Sequence, residues 1–344
     1  MKSLALILLS LVAIFAIGGT VYQATGQQEN KAQQDNTDTQ LGSRAFTFNY
    51  GATILEVPTG AKVRVWYPIA ESSGQQEVSL VGKKTPTEMQ VHRDEKYNNA
   101  IGFFETSNDD ANENSSEVKF KLSYDVVRKE ASVDDAAKSL TDEQKKLFLA
   151  ANSLVPVDGK PTELLDEENL PADSMGAGKR IYEIVEDHMK YDKSQPGYGN
   201  GDSTWACDSK TGNCTDFHSL FISLARNREI PARFEIGFPL PPKSTTTESK
   251  GVVKGYHCWA WFHSEGNGWA PVDISEADKH PEMKAYYFGK LTTDRIAFST
   301  GRDIKLVPAS NGGPLNYFVY PYVEVDGKPW PKDKIKLDFS YSDK

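Results

Sequence analysis

The sequence predicts an α+β protein in which a buried helix packs on an antiparallel sheet, with a small β-rich module upstream. Three observations predict it. First, Phe46, Phe48 and Tyr50, then Val63, Val65 and Tyr67, then Val118, Phe120, Leu122 and Tyr124 alternate with other residues at strand period. Second, Phe217, Leu220, Phe221, Leu224 and Ala225 recur at i, i+3, i+4, i+7 and i+8, one apolar face of a helix. Third, Tyr256–His263 and Trp269–Ile274 read as strands joined by a turn at Glu265-Gly266-Asn267-Gly268.

The chain of 344 residues has room for two compact domains or one large domain with an added module. Hydrophobic residues at 38% and charged residues at 25% fit a globular protein. The net charge of -9 comes without a Lys/Arg-rich block, which argues against nucleic acid and anionic membrane surfaces as partners.

Residues 1–25 hold a single lysine followed by the apolar run Ser3 to Ile17 and Gly18-Gly19. That is a secretory signal pattern, too short for an ordinary span. Extension through Tyr22 makes an anchor at residues 3–22 the alternative, and either places the remainder outside the cytoplasm, secreted, periplasmic or anchored. Residues 26–42, rich in Gln, Asn, Asp and Thr, read as a disordered tether. Residues 43–130 are the β module. Its polar loop, Thr106 to Glu117, carries Asp110, Asn112 and Asn114, but Ser115 and Lys121 stand where a calcium loop needs Gly and Glu. A solvated loop is expected there.

Residues 131–176 read as a helical connector, with a capped start near Thr141 and breaks at Pro156 and Pro161. Ala177 to Lys190 is a second helix, with His188 as a face residue rather than a ligand. It opens a catalytic domain over 177–310. Residues 311–344 end in strands, with Ile335, Leu337, Phe339 and Tyr341 alternating.

The chain has three cysteines, Cys207, Cys214 and Cys258, so an oxidising compartment leaves at least one unpaired within the chain. Gly212 and Asn213 precede the apolar helix, and Asn213 is a good cap. Cys214 therefore falls in the first turn, where unpaired N–H groups and the helix dipole favour a thiolate. A buried inert cysteine is the bland alternative. On the strand side, His257 meets Asp273 only if the intervening loop has an odd number of residues. Then His263 pairs with Trp269, Trp259 lies opposite Asp273, and His257 is its diagonal neighbour. Cys214 would attack a carbonyl carbon, His257 would move the proton, and Asp273 would hold the imidazole tautomer. Adjacent strand residues point oppositely and no Cys-x-x-Cys occurs, so neither zinc nor any other cofactor is expected.

The runs Gly212-Asn213-Cys214-Thr215-Asp216-Phe217-His218, Ile230-Pro231-Ala232-Arg233, Tyr256-His257-Cys258-Trp259 and Gly268-Trp269-Ala270-Pro271-Val272-Asp273 resemble the core motifs of the transglutaminase-like superfamily, over roughly residues 180–310. The resemblance implies a papain-like fold, with Cys214, His257 and Asp273 as the family's catalytic positions. It also implies a bacterial exported member acting on peptide or protein amides, by hydrolysis or by crosslinking to an amine. A catalytically silent binding or envelope-structural protein is the alternative. The family uses an upstream polar or aromatic oxyanion donor, a role open to Tyr191 or Trp205 beside the Cys214 backbone N–H, with a packing or loop residue as the alternative for each. His218 shares the Cys214 helix face and reads as a structural contact. Cys207 and Cys258 either form a disulfide or stay free, with Cys258 expected as a small buried residue. His263 and His280 are expected at the surface.

Overall fold

The alternating runs become strands because each presents one face to an apolar interior. The computed structural model describes residues 42–108, 116–134 and 137–344. The N-terminal apolar run, the tether before residue 42 and the calcium-like positions of the 109–115 loop lie outside the described residues.

In chain order the upstream strands are β1 (Ser43–Ile54), β2 (Lys62–Pro68), β3 (Gln76–Lys84), β4 (Gln90–Arg93), β5 (Ala100–Ser107) and β6 (Val118–Lys129). Then come α1 (Asp142–Leu149), α2 (Ser174–His188), β7 (Lys190–Tyr191), α3 (Ser203–Ser209), β8 (Thr211–Gly212) and α4 (Cys214–Asn227). Strands β9 (Ala232–Pro239), β10 (Lys250–Val252), β11 (His257–Ser264) and β12 (Gly268–Val272) lead to α5 (Ile274–Lys279). Strands β13 (Arg295–Thr300), β14 (Tyr322–Val325), β15 (Lys328–Pro329) and β16 (Ile335–Asp343) finish the chain.

Three antiparallel sheets result, with orders β10-β16-β1-β6-β3, β15-β14-β2-β5-β4 and β12-β11-β9-β13. The C-terminal strands complete both upstream sheets. Strand β16 runs beside β1, with Tyr341 opposite Phe48, and β14 runs beside β2. Residues Leu41–Lys344 form one compact unit. Aromatic rings join the first sheet to the third. Phe238 of β9 packs 4.5 Å from Phe339, and Phe298 of β13 packs 5.2 Å from Tyr50. Gly237 permits the close β9–β13 approach, since a Cβ there would fall 1.8 Å from the Ile296 carbonyl oxygen.

Helix α1 starts as its sequence suggests, with Thr141 and Gln144 forming a reciprocal capping box. Helix α4 is enclosed more fully than a single apolar face implies: every residue from Cys214 to Arg226 is buried. Its polar positions are satisfied internally. Ser219 Oγ accepts from Arg302 at 2.6 Å, Ser223 donates to the Pro156 carbonyl, and Arg226 donates to the Ala232 and Ala150 carbonyls. The helix packs on β11 and β9, which makes the fold α+β with the Cys214-bearing helix against an antiparallel sheet. Among the described residues no helix is long and apolar enough to cross a membrane.

Candidate active site

The first turn of α4 is fixed before any catalytic group is considered. Asn213 Oδ1 accepts from the Thr215 amide at 2.8 Å, and Asp216 Oδ2 accepts from the Asn213 amide at 2.9 Å. Asp216 is wholly buried and also takes the amides of Gly199 and Gly201, at 2.7 and 2.8 Å. Burial pushes its carboxyl up, against the pull of these bonds. One carboxylate thus ties the loop before α3 to the helix start. Tyr256 adds a second tie, its hydroxyl 2.8 Å from Thr215 Oγ1 and 3.1 Å from Asn213 Nδ2. The Cys214 amide, first in the helix, has no acceptor within it and stays available to an oxyanion.

The hairpin has the required parity. His263 pairs with Trp269 and Ala260 with Val272; Ser264 also pairs with Gly268, so the loop is the three residues 265–267, an odd number. Asp273 follows β12 directly and caps α5. His257 Nε2 lies 2.7 Å from Asp273 Oδ2 and donates to it. The other Asp273 oxygen accepts from Ser275 Oγ and the Glu276 amide, each at 3.2 Å. Arg295 of β13 donates to Oδ2 at 2.9 Å, stacked 4.9 Å over the Trp259 ring. Burial alone would neutralise Asp273, but His257 and Arg295 hold it far below the carboxylate range. Burial likewise works against a charged His257, yet the Asp273 charge raises it to about 10.

Cys214 is 3% exposed. Burial works to raise its thiol, but hydrogen bonds from Cys258 and His257 and the His257 charge outweigh it and bring the thiol well below its usual range. With Nε2 engaged by Asp273, His257 faces the sulfur with Nδ1. The three residues singled out in the sequence are therefore neighbours, arranged to favour a thiolate beside an imidazolium.

Cys258 is buried as expected but not idle. Its sulfur lies 3.7 Å from His218 Nδ1 and 3.9 Å from Thr215 Oγ1. Burial and the interaction with Cys214 push its thiol up, so it remains a donor to the Cys214 sulfur. All three cysteines are free, and Cys207 faces the Lys160 carbonyl instead. His218 is a structural contact of a particular kind. The Ile274 amide donates to its Nε2 at 3.1 Å, so the ring proton sits on Nδ1, which donates to the Cys214 carbonyl at 2.7 Å. Burial holds His218 neutral by lowering it.

Tyr191 stands in β7, paired with Gly212, and its hydroxyl is pushed up by burial and then by the Cys214 charge. That is within electrostatic reach of the sulfur. Trp205 packs its indole against Gly197. His188 faces the Cys207 carbonyl at 2.8 Å. His263 departs from expectation: it is 2% exposed, not at the surface, because it faces the Ala137 carbonyl at 2.8 Å beneath Trp269. His280 is half exposed beside Glu276. Ligand atoms of His257, Asp273 and Glu276 lie within 4.8 Å of one another, but a cation there would compete with Arg295 for Asp273.

Arg295, Tyr256 and Asp216 support the site without having been singled out for those roles. Arg295 gave one sequence signal, a charge opening the apolar run Ile296-Ala297-Phe298.

The pattern of the transglutaminase-like superfamily matches residues 165–274, a span that contains Cys214, His257 and Asp273. An uncharacterized protein of Haemophilus influenzae is 29% identical over 360 residues, covering 92% of this chain and 94% of that protein. The crystal structure of a proposed cysteine protease from Cytophaga hutchinsonii superposes with a TM-score of 0.51 at 16% identity, covering 88% of this chain and 98% of that one, a likeness of fold. The periplasmic domain of TgpA from Pseudomonas aeruginosa aligns more distantly, with a TM-score of 0.35 at 11% identity over 70% of this chain and 90% of that one. Residues 165–274 of this chain thus match the core of the transglutaminase-like superfamily, within a mixed α+β fold.

Proposed function

We propose that the protein is a thiol acyl-transfer enzyme acting on peptide or protein amide bonds outside the cytoplasm. The observation that carries this reading is the 2.7 Å bond between His257 and Asp273, beside a Cys214 thiol drawn below its usual range. In the reaction, the Cys214 thiolate attacks the amide carbon, and the oxygen takes the Cys214 N–H as one donor. Tyr191 is the candidate second donor, and Trp205 is the less supported of the two. The tetrahedral species collapses as His257 gives its Nδ1 proton to the departing amine, leaving a thioester. Water, or a second amine, then attacks the thioester carbon, His257 takes the proton of the attacker, and the C–S bond breaks to return the Cys214 thiolate. Water gives hydrolysis and an amine gives crosslinking. The extracytoplasmic setting is supported by the apolar run of residues 3–17.

One observation favours the silent-protein reading: the near-complete burial of Cys214. One experiment separates the two. Wild type and Cys214→Ala are treated with a thiol-directed activity probe at pH 6, then assayed for peptide hydrolysis and amine incorporation. Rapid labelling confined to Cys214, with turnover lost in the variant, is the expected result. Slow labelling and no difference in turnover would leave a binding protein.

A further inference from the structure

A cavity of about 440 Å³ opens between the 315–322 segment and β16, lined by Tyr317, Tyr320, Pro321, Ile335 and Leu337, with Lys332 at its edge. Its walls are mostly apolar. Leu337 is 39% exposed and lines this cavity beside Ile335. Lys332 is exposed and forms no ion pair with a described residue.

The wall of this groove is tied to the candidate active site through two tyrosines. The Tyr317 hydroxyl donates to the Gly199 carbonyl at 3.1 Å and lies 3.4 Å from the Tyr256 hydroxyl. Tyr256 in turn holds Thr215 and Asn213, which flank Cys214. Tyr320 packs edge-on to Tyr256 at 5.8 Å and parallel to Phe339 at 6.0 Å. Both Tyr317 and Tyr320 feel the charge of Cys214. The groove wall is thus linked through Tyr256 to the first turn of α4, and Lys332 stands at its edge.

We propose that this groove is the substrate-recognition site, taking an extended peptide with an aromatic or branched aliphatic side chain followed by a carboxylate. The proposal rests on the acyl-transfer reading above. The apolar side chain lies against Leu337, Ile335 and Tyr320, and the carboxylate meets Lys332. The volume suits about one or two side chains, at the lower end of small-ligand sites. Charge complementarity selects acidic over basic flanks in a chain whose net charge of -9 would otherwise repel acidic peptides.

The test uses the full chain and short fluorescent peptides, apolar–acidic against apolar–basic and Ser–acidic controls. Binding is measured by anisotropy on Cys214→Ala, alone and combined with Leu337→Ser or Lys332→Glu, and melting curves confirm that each variant folds. Leu337→Ser is expected to weaken the apolar–acidic peptide about tenfold, the loss of one buried leucine contact. Lys332→Glu is expected to reverse the acidic preference. The apolar–acidic peptide should also slow alkylation of Cys214 in wild type. Equal affinity for all three peptides, or binding that leaves the alkylation rate unchanged, overturns the proposal. So does concentration-dependent self-association abolished by Leu337→Ser, which would give the groove to a second copy. Alkylation of Cys214 without the peptide is read separately. Slow labelling there defeats the acyl-transfer reading whatever the anisotropy shows, and rapid labelling with no peptide binding defeats only the groove.

Discussion

Asp273→Asn isolates the charge on which the site's protonation depends. The substitution keeps the shape of the side chain and an oxygen for the Ser275 and Glu276 bonds, and removes the anion. With the anion present, His257 stands at about 10 against an ordinary 6.5, although burial pulls the other way. That difference is about 5 kcal/mol of proton affinity, with Asp273 the largest raising cause. Without it, burial lowers His257 below its ordinary value, and Cys214 loses the imidazolium beside it. A thiol at the ordinary 9.0 is about one part in a thousand ionised at pH 6. The expected outcome is a fall of roughly two to three orders of magnitude in iodoacetamide labelling of Cys214 at pH 6, with the ionisation midpoint moved up to the ordinary thiol range or beyond. Arg295 is left buried without its counter-ion, so a loss of about 3–5 kcal/mol in stability accompanies the change. Labelling is therefore measured at a temperature where the variant is still folded by circular dichroism. A folded variant that labels at pH 6 at the wild-type rate would refute the electrostatic account, since no other described carboxylate contacts His257 within 3 Å.

Four further outcomes follow from the same structure. Cys214→Ala should abolish probe labelling and any amide turnover while shifting the melting temperature by only a few degrees, a change of about 1 kcal/mol; surviving turnover would exclude Cys214 as nucleophile. Cys258→Ala removes a donor to the Cys214 sulfur, so the pH midpoint for Cys214 alkylation should rise, and an unchanged midpoint would show that the donor has no influence. The folded-state value of His257 is raised, so the stability it contributes is complete below 6.5 and is lost as pH rises through about 10. Asp273 is depressed, so its contribution is present above 3.8 and is lost on acidification. The difference in urea unfolding free energy between wild type and His257→Ala should therefore shrink steadily from pH 7 to pH 10. Gly237→Ala places a Cβ 1.8 Å from the Ile296 carbonyl oxygen, so it should destabilise the fold by roughly 3 kcal/mol or more in the same assay.

The Cys214-bearing helix and the hairpin were legible because local rules specify them. Asn213 caps, the apolar spacing runs on from Phe217, and loop parity alone decides which face of β12 meets His257. The same locality explains what stayed hidden. Strand β5 is a nearly continuous apolar run, Ala100 to Phe104, which carries no period because it is buried on both sides. The pairing of β16 with β1 joins residues almost three hundred positions apart, and no turn signal announces it. Arg295 reaches Asp273 only because β13 lies at the far side of β9. His263 reads as an exposed strand end until Ala137 covers it. Helix α4 shows one apolar stripe in sequence, but serines and a threonine on its other sides are buried by partners from distant segments.

The imidazole of His218 has both nitrogens committed to main-chain groups, one on the segment bearing the sulfur and one on the segment bearing the carboxylate. It works as a rivet through two moving parts, and the spacing between them is set by a ring that has no freedom to turn. A second proton on that ring has only one place to go, and it would expel the Ile274 amide. Acid would then exchange a neutral bond to the Ile274 amide for a charge facing Asp273 3.8 Å away, so the link between the two segments depends on the protonation of His218.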